Sequence, residues 1–139
     1  MSDSQRFPVA AHVLAYLAHK DALSADSAVA SSELAQSVAT NPVVVRRVTA
    51  MLARAGLIGT RRGAGGGAWL TRPATRIGLD EVLRAVNGSA HMGVPPVGSK
   101  HCPVGERLPK AVQAAINAAD EAAARQLGST SVADLLAAD

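Results

Sequence analysis

Apolar residues recur along this chain at helical spacing, except in one stretch where the rhythm shortens to that of strands. Between about residues 7 and 19, Ala10, Val13, Leu14 and Leu17 stand at i, i+3, i+4 and i+7, one face of a helix. His12 and His19 fall off that face and read as surface residues. Residues 21–30 are small and polar, a loop. Ser31 is placed to cap a short helix. Glu33 follows in its first turn, where the helix dipole favours an anion, and Leu34, Ala35 and Val38 face inward. Asn41 suits the N-cap of the next helix, and Pro42 its first position, where a missing N–H loses no partner. That helix is expected to reach about residue 55 and to bury Val45, Val48, Leu52 and Ala55. Its opposite face carries Val43, Arg46, Arg47, Ala50 and Arg54.

Gly56 ends this helix. Residues 57–61 and 68–71 then read as two short strands around Arg62-Gly63-Ala64-Gly65-Gly66-Gly67, with Pro73 closing the hairpin. Trp69 is expected to pack the hairpin on to the core. Leu79, Val82, Leu83 and Val86 predict another helix, stopped by Asn87-Gly88. A Gly/Pro-rich loop follows at 91–100. The spacing next predicts a long helix over 104–127, with Leu108, Val112, Ala115, Ile116, Ala119, Ala122 and Ala123 on one side. A last short helix, capped by Ser131 or Thr130, is expected over 129–136.

Composition narrows the class. Only Phe7, Tyr16 and Trp69 are aromatic, so alanine, valine and leucine must fill the core. The formal net charge is +3, but its distribution matters more. No acid occurs between Glu33 and Asp80, while Arg46, Arg47, Arg54, Arg61, Arg62, Arg72 and Arg76 all lie there. A helix, a turn, a second helix and a basic hairpin make the layout of a winged-helix DNA reader. Arginine can bond bidentately to guanine, and a small apolar side chain can touch a thymine methyl. The expected DNA contacts are therefore Ser31, Ser32, Asn41, Pro42, Val43, Arg46, Arg47, Arg54, Arg61, Arg62, Gly63, Gly65, Gly66 and Arg72. The glycine loop has neither a GxxxxGK[ST] nor a GxGxxG pattern, which excludes a nucleotide-phosphate loop. No apolar run is long enough to span a bilayer, and the N-terminus lacks the order of a signal peptide, so the expected location is the cytoplasm.

The wing RRGAGGGAWLTR, the helix end LARAGLI and the helix GLDEVLRAVNG together resemble the Rrf-two (BadM-type) family of bacterial transcription regulators. CPVGERLPKAV followed by STSVADLL is similar to that family's sensor loop, dimer helix and C-terminal segment. The resemblance covers nearly the whole chain. It implies a mainly α fold with a small β-hairpin wing: a winged helix-turn-helix plus a long C-terminal dimerisation helix. It also implies a homodimer on a partly palindromic operator of double-stranded DNA, with repression the usual outcome. The expected division is a DNA-binding domain at 1–88, a sensor-type loop at 89–103, and a dimerisation helix with C-terminal segment at 104–139. Leu108, Val112, Ala115, Ile116, Ala119 and Ala123 are the expected dimer residues.

Family members that hold an iron–sulfur cluster use three cysteines in the loop after the fourth helix. This chain has Cys102 alone, with His91 and His101 nearby, a poor match to a ligation that normally takes thiolates. No cluster and no other metal or cofactor is expected. Cys102, with His101 beside it, is instead the candidate sensor. It precedes a helix N-terminus, which favours a thiolate able to oxidise to a sulfenic acid or an intersubunit disulfide. A thiol enzyme is the competing reading; adjacent side chains rarely aim at each other, and no third group orients the histidine. An interaction module without DNA binding is the other, and the retained Arg46, Arg47, Arg61 and Arg62 speak against it.

Overall fold

The computed structural model describes residues 5–87 and 92–138. Gly88 and His91, singled out above, lie outside them. α1 (Arg6–His19) is the element on which the rest stack. Ala10, Val13, Leu14 and Leu17 are buried along it, as their spacing required, and Val9 with them; α2, α3, α4 and α6 all pack on it. Truncating a buried leucine here, Leu14 or Leu17, costs roughly 2–5 kcal/mol on the usual scale for such sites.

α2 (Ser31–Val38) starts one residue earlier than it would with Ser31 as its cap. Val29 exchanges both backbone hydrogen bonds with Ala68 at 2.9 Å. The chain therefore leaves that bridge still extended at Ala30 (φ −63°, ψ 146°), which becomes the N-cap without a side-chain bond. Ser31 is the first helical residue. Ala39 closes the helix in the left-handed conformation (φ 58°, ψ 41°).

α3 (Pro42–Arg54) follows the local rules closely. Asn41 Oδ1 accepts the Val43 N–H at 2.9 Å, and Pro42 occupies the first turn. Val44, Val45, Val48 and Leu52 are buried. Ala55, expected in that stripe, is instead the exposed C-cap, because Gly56 (φ 79°) turns the chain away immediately after it.

β1 (Ile58–Arg61) and β2 (Gly67–Leu70) pair antiparallel, Ile58 with Leu70 and Arg61 with Gly67. The Val29–Ala68 bridge adds a rudimentary third strand. Trp69, half-buried against the core, crosses Gly59 on β1, where any Cβ would collide with the indole. α4 (Leu79–Asn87) buries Leu79, Val82 and Val86; Leu83 is half-buried. Glu81 caps it reciprocally: its N–H bonds the Gly78 carbonyl at 3.0 Å and its Oε2 accepts the Gly78 N–H at 3.2 Å.

α5 (Pro103–Gly128) is 26 residues long and has no buried residue. α6 (Val132–Ala137) returns to the first unit. Ser131 caps it, with Ser131 and Asp134 bonding each other's backbone N–H. Val132 is fully buried in the main core, and its N–H reaches the Ile77 carbonyl at 2.9 Å. The expected 104–139 unit thus divides: its last helix packs on α1, and α5 alone projects an uncovered face.

Candidate nucleic-acid interface

α3 and the wing enclose a groove of about 470 Å³. Arg46, Thr49, Ala50 and Ala53 form its helical wall, and Thr60, Arg61 and Arg62 its wing wall. Three arginines line it and no acid does. A second depression, of about 420 Å³, opens between α2 and α3, with Ser31, Ser32, Thr40, Pro42 and Arg46 at its edge. Arg46 belongs to both, so it stands where the two open into one basic surface. Val43, Arg47 and Arg54 are exposed on α3 but line neither depression. Asn41 is spent on capping α3.

Thr49 and Thr60 were missed in the sequence. Thr49 follows Arg46 by three residues, on the same helical face, and that spacing was the available signal. Its hydroxyl donates to the Arg46 carbonyl at 2.9 Å. Thr60 had no comparable signal, because strand alternation alone does not say which edge a helix approaches.

The wing tip is built from glycines for two different reasons. Gly63 (φ 91°) and Gly65 (φ 77°) supply backbone angles that L-residues avoid. The Gly66 N–H closes the turn on the Gly63 carbonyl at 2.9 Å, and a Cβ on Gly66 would collide with the Arg61 carbonyl. Arg61 Nη2 donates to the Gly65 carbonyl at 3.4 Å, tying its guanidinium to the loop it flanks.

Arg72 lies elsewhere. β2 runs away from the tip, so Arg72 emerges at the hairpin base. Its guanidinium donates to the Arg76 carbonyl at 3.0 Å and pairs with Glu81 Oε1 at 3.0 Å. Burial pushes the Glu81 carboxyl up, but the Gly78 N–H and Arg72 outweigh it and hold it below the usual glutamate range. Arg72 therefore ties the hairpin to α4, apart from the groove that Arg46, Arg61 and Arg62 line. Glu33, the one acid of α2, is turned to α1: Tyr16 donates to it at 2.6 Å and Lys20 approaches to 3.5 Å.

At the other end of the molecule Cys102 is the exposed N-cap of α5. No side-chain hydrogen bond caps α5. Even so, the amides of Gly105 and Val104 lie close enough to Sγ to hold the thiol below its ordinary range. His101 is exposed, and its backbone N–H bonds Ser99 Oγ at 3.2 Å. Among the described residues no three His, Cys, Asp or Glu side chains converge as a metal site requires. No helix among them is long and apolar enough to cross a membrane.

A helix pair with its reading helix exposed, a basic hairpin beside it and a bridge from the preceding loop define a winged helix-turn-helix DNA-binding protein. The chain belongs to the Rrf2 family, described as iron-dependent transcriptional regulators, whose sequence profile matches residues 3–138. It is 33% identical over 134 residues, 96% of each chain, to YwnA of Bacillus subtilis (strain 168), which is named as an HTH-type transcriptional regulator. A crystal structure described as a DNA-binding protein matches 94% of this chain and 98% of its own, at 32% identity and a TM-score of 0.71. A transcriptional regulator from Lactobacillus plantarum matches 95% of this chain and 87% of its own, at 26% identity and a TM-score of 0.75. The protein is a DNA-binding transcription regulator; its family and these relatives are not enzymes. The family's iron dependence meets a donor set that does not suit it here. The whole chain holds one cysteine, and a cluster normally takes three or four.

Proposed function

We propose that this protein is a homodimeric repressor in the bacterial cytoplasm, acting on a partly palindromic operator. The carrying observation is the position of Arg46, shared by two depressions that together form one acid-free surface. In this reading α3 enters the major groove, where Arg46 and Arg47 read bases and Val43 touches a thymine methyl. The wing follows the backbone into the minor groove with Arg61, Arg62 and the glycines at 63, 65 and 66. Arg54, and Ser31 and Ser32 at the start of α2, meet phosphates. The homodimer reading rests on α5, a helix of 26 residues with none buried and with Leu108 53% exposed. The functional parts are then residues 1–88 with α6 as reading head, 89–103 as sensor-type loop, and α5 as dimer helix.

Cys102 is the sensor residue in this reading, and it works without a cluster. Its thiolate attacks peroxide, an S–O bond forms as the O–O bond breaks, and water leaves after protonation. The product is a sulfenic acid. Site selection from random DNA tests the operator reading; a symmetric recovered motif is expected, and an unenriched pool ends it. Mild peroxide is expected to change operator affinity in the wild type and to leave Cys102→Ser unaffected. An equal response in both removes Cys102 from the mechanism. A brown, iron-containing anaerobic preparation restores the cluster.

A further inference from the structure

We propose that the cleft where α4, the end of α5 and the start of α6 meet binds a small zwitterion, an α-amino acid with a short or polar side chain. The cleft measures about 650 Å³. That lies inside the range of roughly 300–1,000 Å³ usual for small-molecule sites. Three parts of the chain wall it: residues 75–78, the first turns of α4, and residues 128–134. It shares no residue with the groove between α3 and the wing, and it sits at the opposite end of α5 from Cys102. Its two glycines apart, every lining residue is charged or carries a hydroxyl. An apolar guest would strip water from those groups without replacing its hydrogen bonds, so the guest has to be polar.

The charges that line the cleft divide into spent and unspent. Glu81 is spent, one oxygen on Arg72 and the other on the Gly78 N–H. Asp134 is half spent: Oδ2 accepts the Ser131 N–H at 2.9 Å, and no donor among the described residues reaches its other oxygen. Asp80 and Arg84 stand 3.6 Å apart, beyond hydrogen-bond distance, with the Arg84 side chain 59% exposed. A surface pair of that kind holds weakly and is readily exchanged for a ligand. Arg76 pairs with no carboxylate among the described residues. The Gly128 carbonyl ends α5, accepts no hydrogen bond from those residues, and lies at the negative end of a helix of 26 residues.

Two guanidinium groups therefore face an open Asp134 oxygen, the Asp80 carboxylate and a helix-end carbonyl. A guanidinium holds a carboxylate by two parallel N–H bonds. An ammonium has three N–H groups to place, and three acceptors stand ready. An inorganic anion would answer the arginines alone and meet the acceptors unpaired. A bare metal ion would do the reverse, and the described residues hold no cluster of ligands for one. A molecule with both charges answers both sides. The glycines give it room: a Cβ on Gly78 would collide with Asp80 Oδ1, and one on Gly128 would lie 3.4–3.5 Å from the Asp80 carboxyl. The Asp80 carboxyl thus occupies space that two side chains would otherwise take.

The position gives the ligand a consequence. The Leu79 N–H already bonds the Thr130 carbonyl, joining α4 of the reading head to the end of α5. An amino acid held by Arg84 on one side and the Gly128 carbonyl on the other ties the same two elements. It is expected to change operator affinity, and the operator to change affinity for it by the same factor.

The test is isothermal titration calorimetry of the full-length wild type, without DNA, against each standard amino acid in turn. At least one is expected to saturate the protein at millimolar concentration or below. Arg76→Gln, Arg84→Gln and Asp134→Asn are each expected to weaken that binding about tenfold, the effect of losing a charge-assisted hydrogen bond. The asparagine keeps an oxygen for the Ser131 N–H, and circular dichroism checks that the fold survives. Arg107→Gln, on α5 outside the cleft, is expected to bind as the wild type does. The decarboxylated amine and the N-acetyl derivative of the same amino acid are both expected to fail. The proposal is overturned if no amino acid binds, if the three cleft variants bind undiminished, or if either single-charge derivative binds as well as its parent. None of these readings involves the operator, so each stands whatever becomes of the repressor reading. An amino acid that binds in the cleft yet leaves operator affinity unchanged in fluorescence anisotropy overturns the coupling.

Discussion

Single residues in this protein carry small conformational debts that can be measured. Ala39 is held left-handed at the end of α2, a region that costs an L-residue roughly 1–2 kcal/mol. Ala39→Gly is expected to raise stability by about 0.5–1 kcal/mol in urea denaturation, because relief of that strain exceeds the added entropy of the unfolded glycine. Glu33 sets a pH dependence. The Tyr16 hydrogen bond is the largest influence on its carboxyl and lowers it; burial opposes; Lys20 lowers it further. A folded value below the unfolded one stabilises the protein above the usual glutamate range. That gain is lost as pH falls through the lowered value. Tyr16→Phe is expected to flatten the stability curve below about pH 5, as read by thermal melts across pH. At Cys102 the amides of Gly105 and Val104 favour the thiolate, so alkylation by iodoacetamide is expected to reach half its maximal rate at a lower pH than for a free cysteine.

Among the elements, the hairpin separates two kinds of arginine. Arg72→Ala breaks the tie to Glu81 at the hairpin base, and is expected to lower the melting temperature while leaving the salt dependence of DNA binding unchanged. Arg61→Ala and Arg62→Ala are expected to do the reverse, each reducing the log–log salt slope by about 0.9 in fluorescence anisotropy titrations. Gly66→Ala forces the wing tip off the Arg61 carbonyl, and is expected to weaken binding to all sequences with little loss of fold. The sequence made α1, α3, the hairpin and α4 legible because each is announced by signals within a few residues: the Asn41-Pro42 start, the Gly56 stop, the period of Val45, Val48 and Leu52. It hid what depends on distant partners. Ser31 looked like a cap because the Val29–Ala68 bridge, which sets the entry to α2, spans 39 positions of chain. The tie of Arg72 to Glu81 was hidden too, because nothing local reveals Glu81 beside it. Arg46 was legible as an exposed arginine, but its place between two depressions was not.

At the scale of the molecule, α6 is what the sequence concealed most fully. It was grouped with the dimer helix, yet Val132 is at 0% exposure in the core of the reading head. Val132→Asp is expected to unfold the whole head, visible as loss of helical circular dichroism and not merely of dimerisation, because an unpaired charge would enter that core. The return of the chain also fixes one end of α5. The Leu79 N–H bonds the Thr130 carbonyl at 3.0 Å and the Val132 N–H bonds the Ile77 carbonyl, so the far end of α5 is welded to the start of α4. α5 is thus shaped like a tiller fastened at its Gly128 end, with Cys102 at the other end about 39 Å away. Steering follows from that length: swinging the head by about 5° requires the tip to travel about 3.4 Å. One oxygen added to sulfur is too small a wedge to push the tip so far by itself. In the reading that makes Cys102 the sensor, the signal has to act through residues 92–98, which line a cavity with the first half of α5, and substitutions that pin them there should hold the rudder straight whatever the state of the thiol.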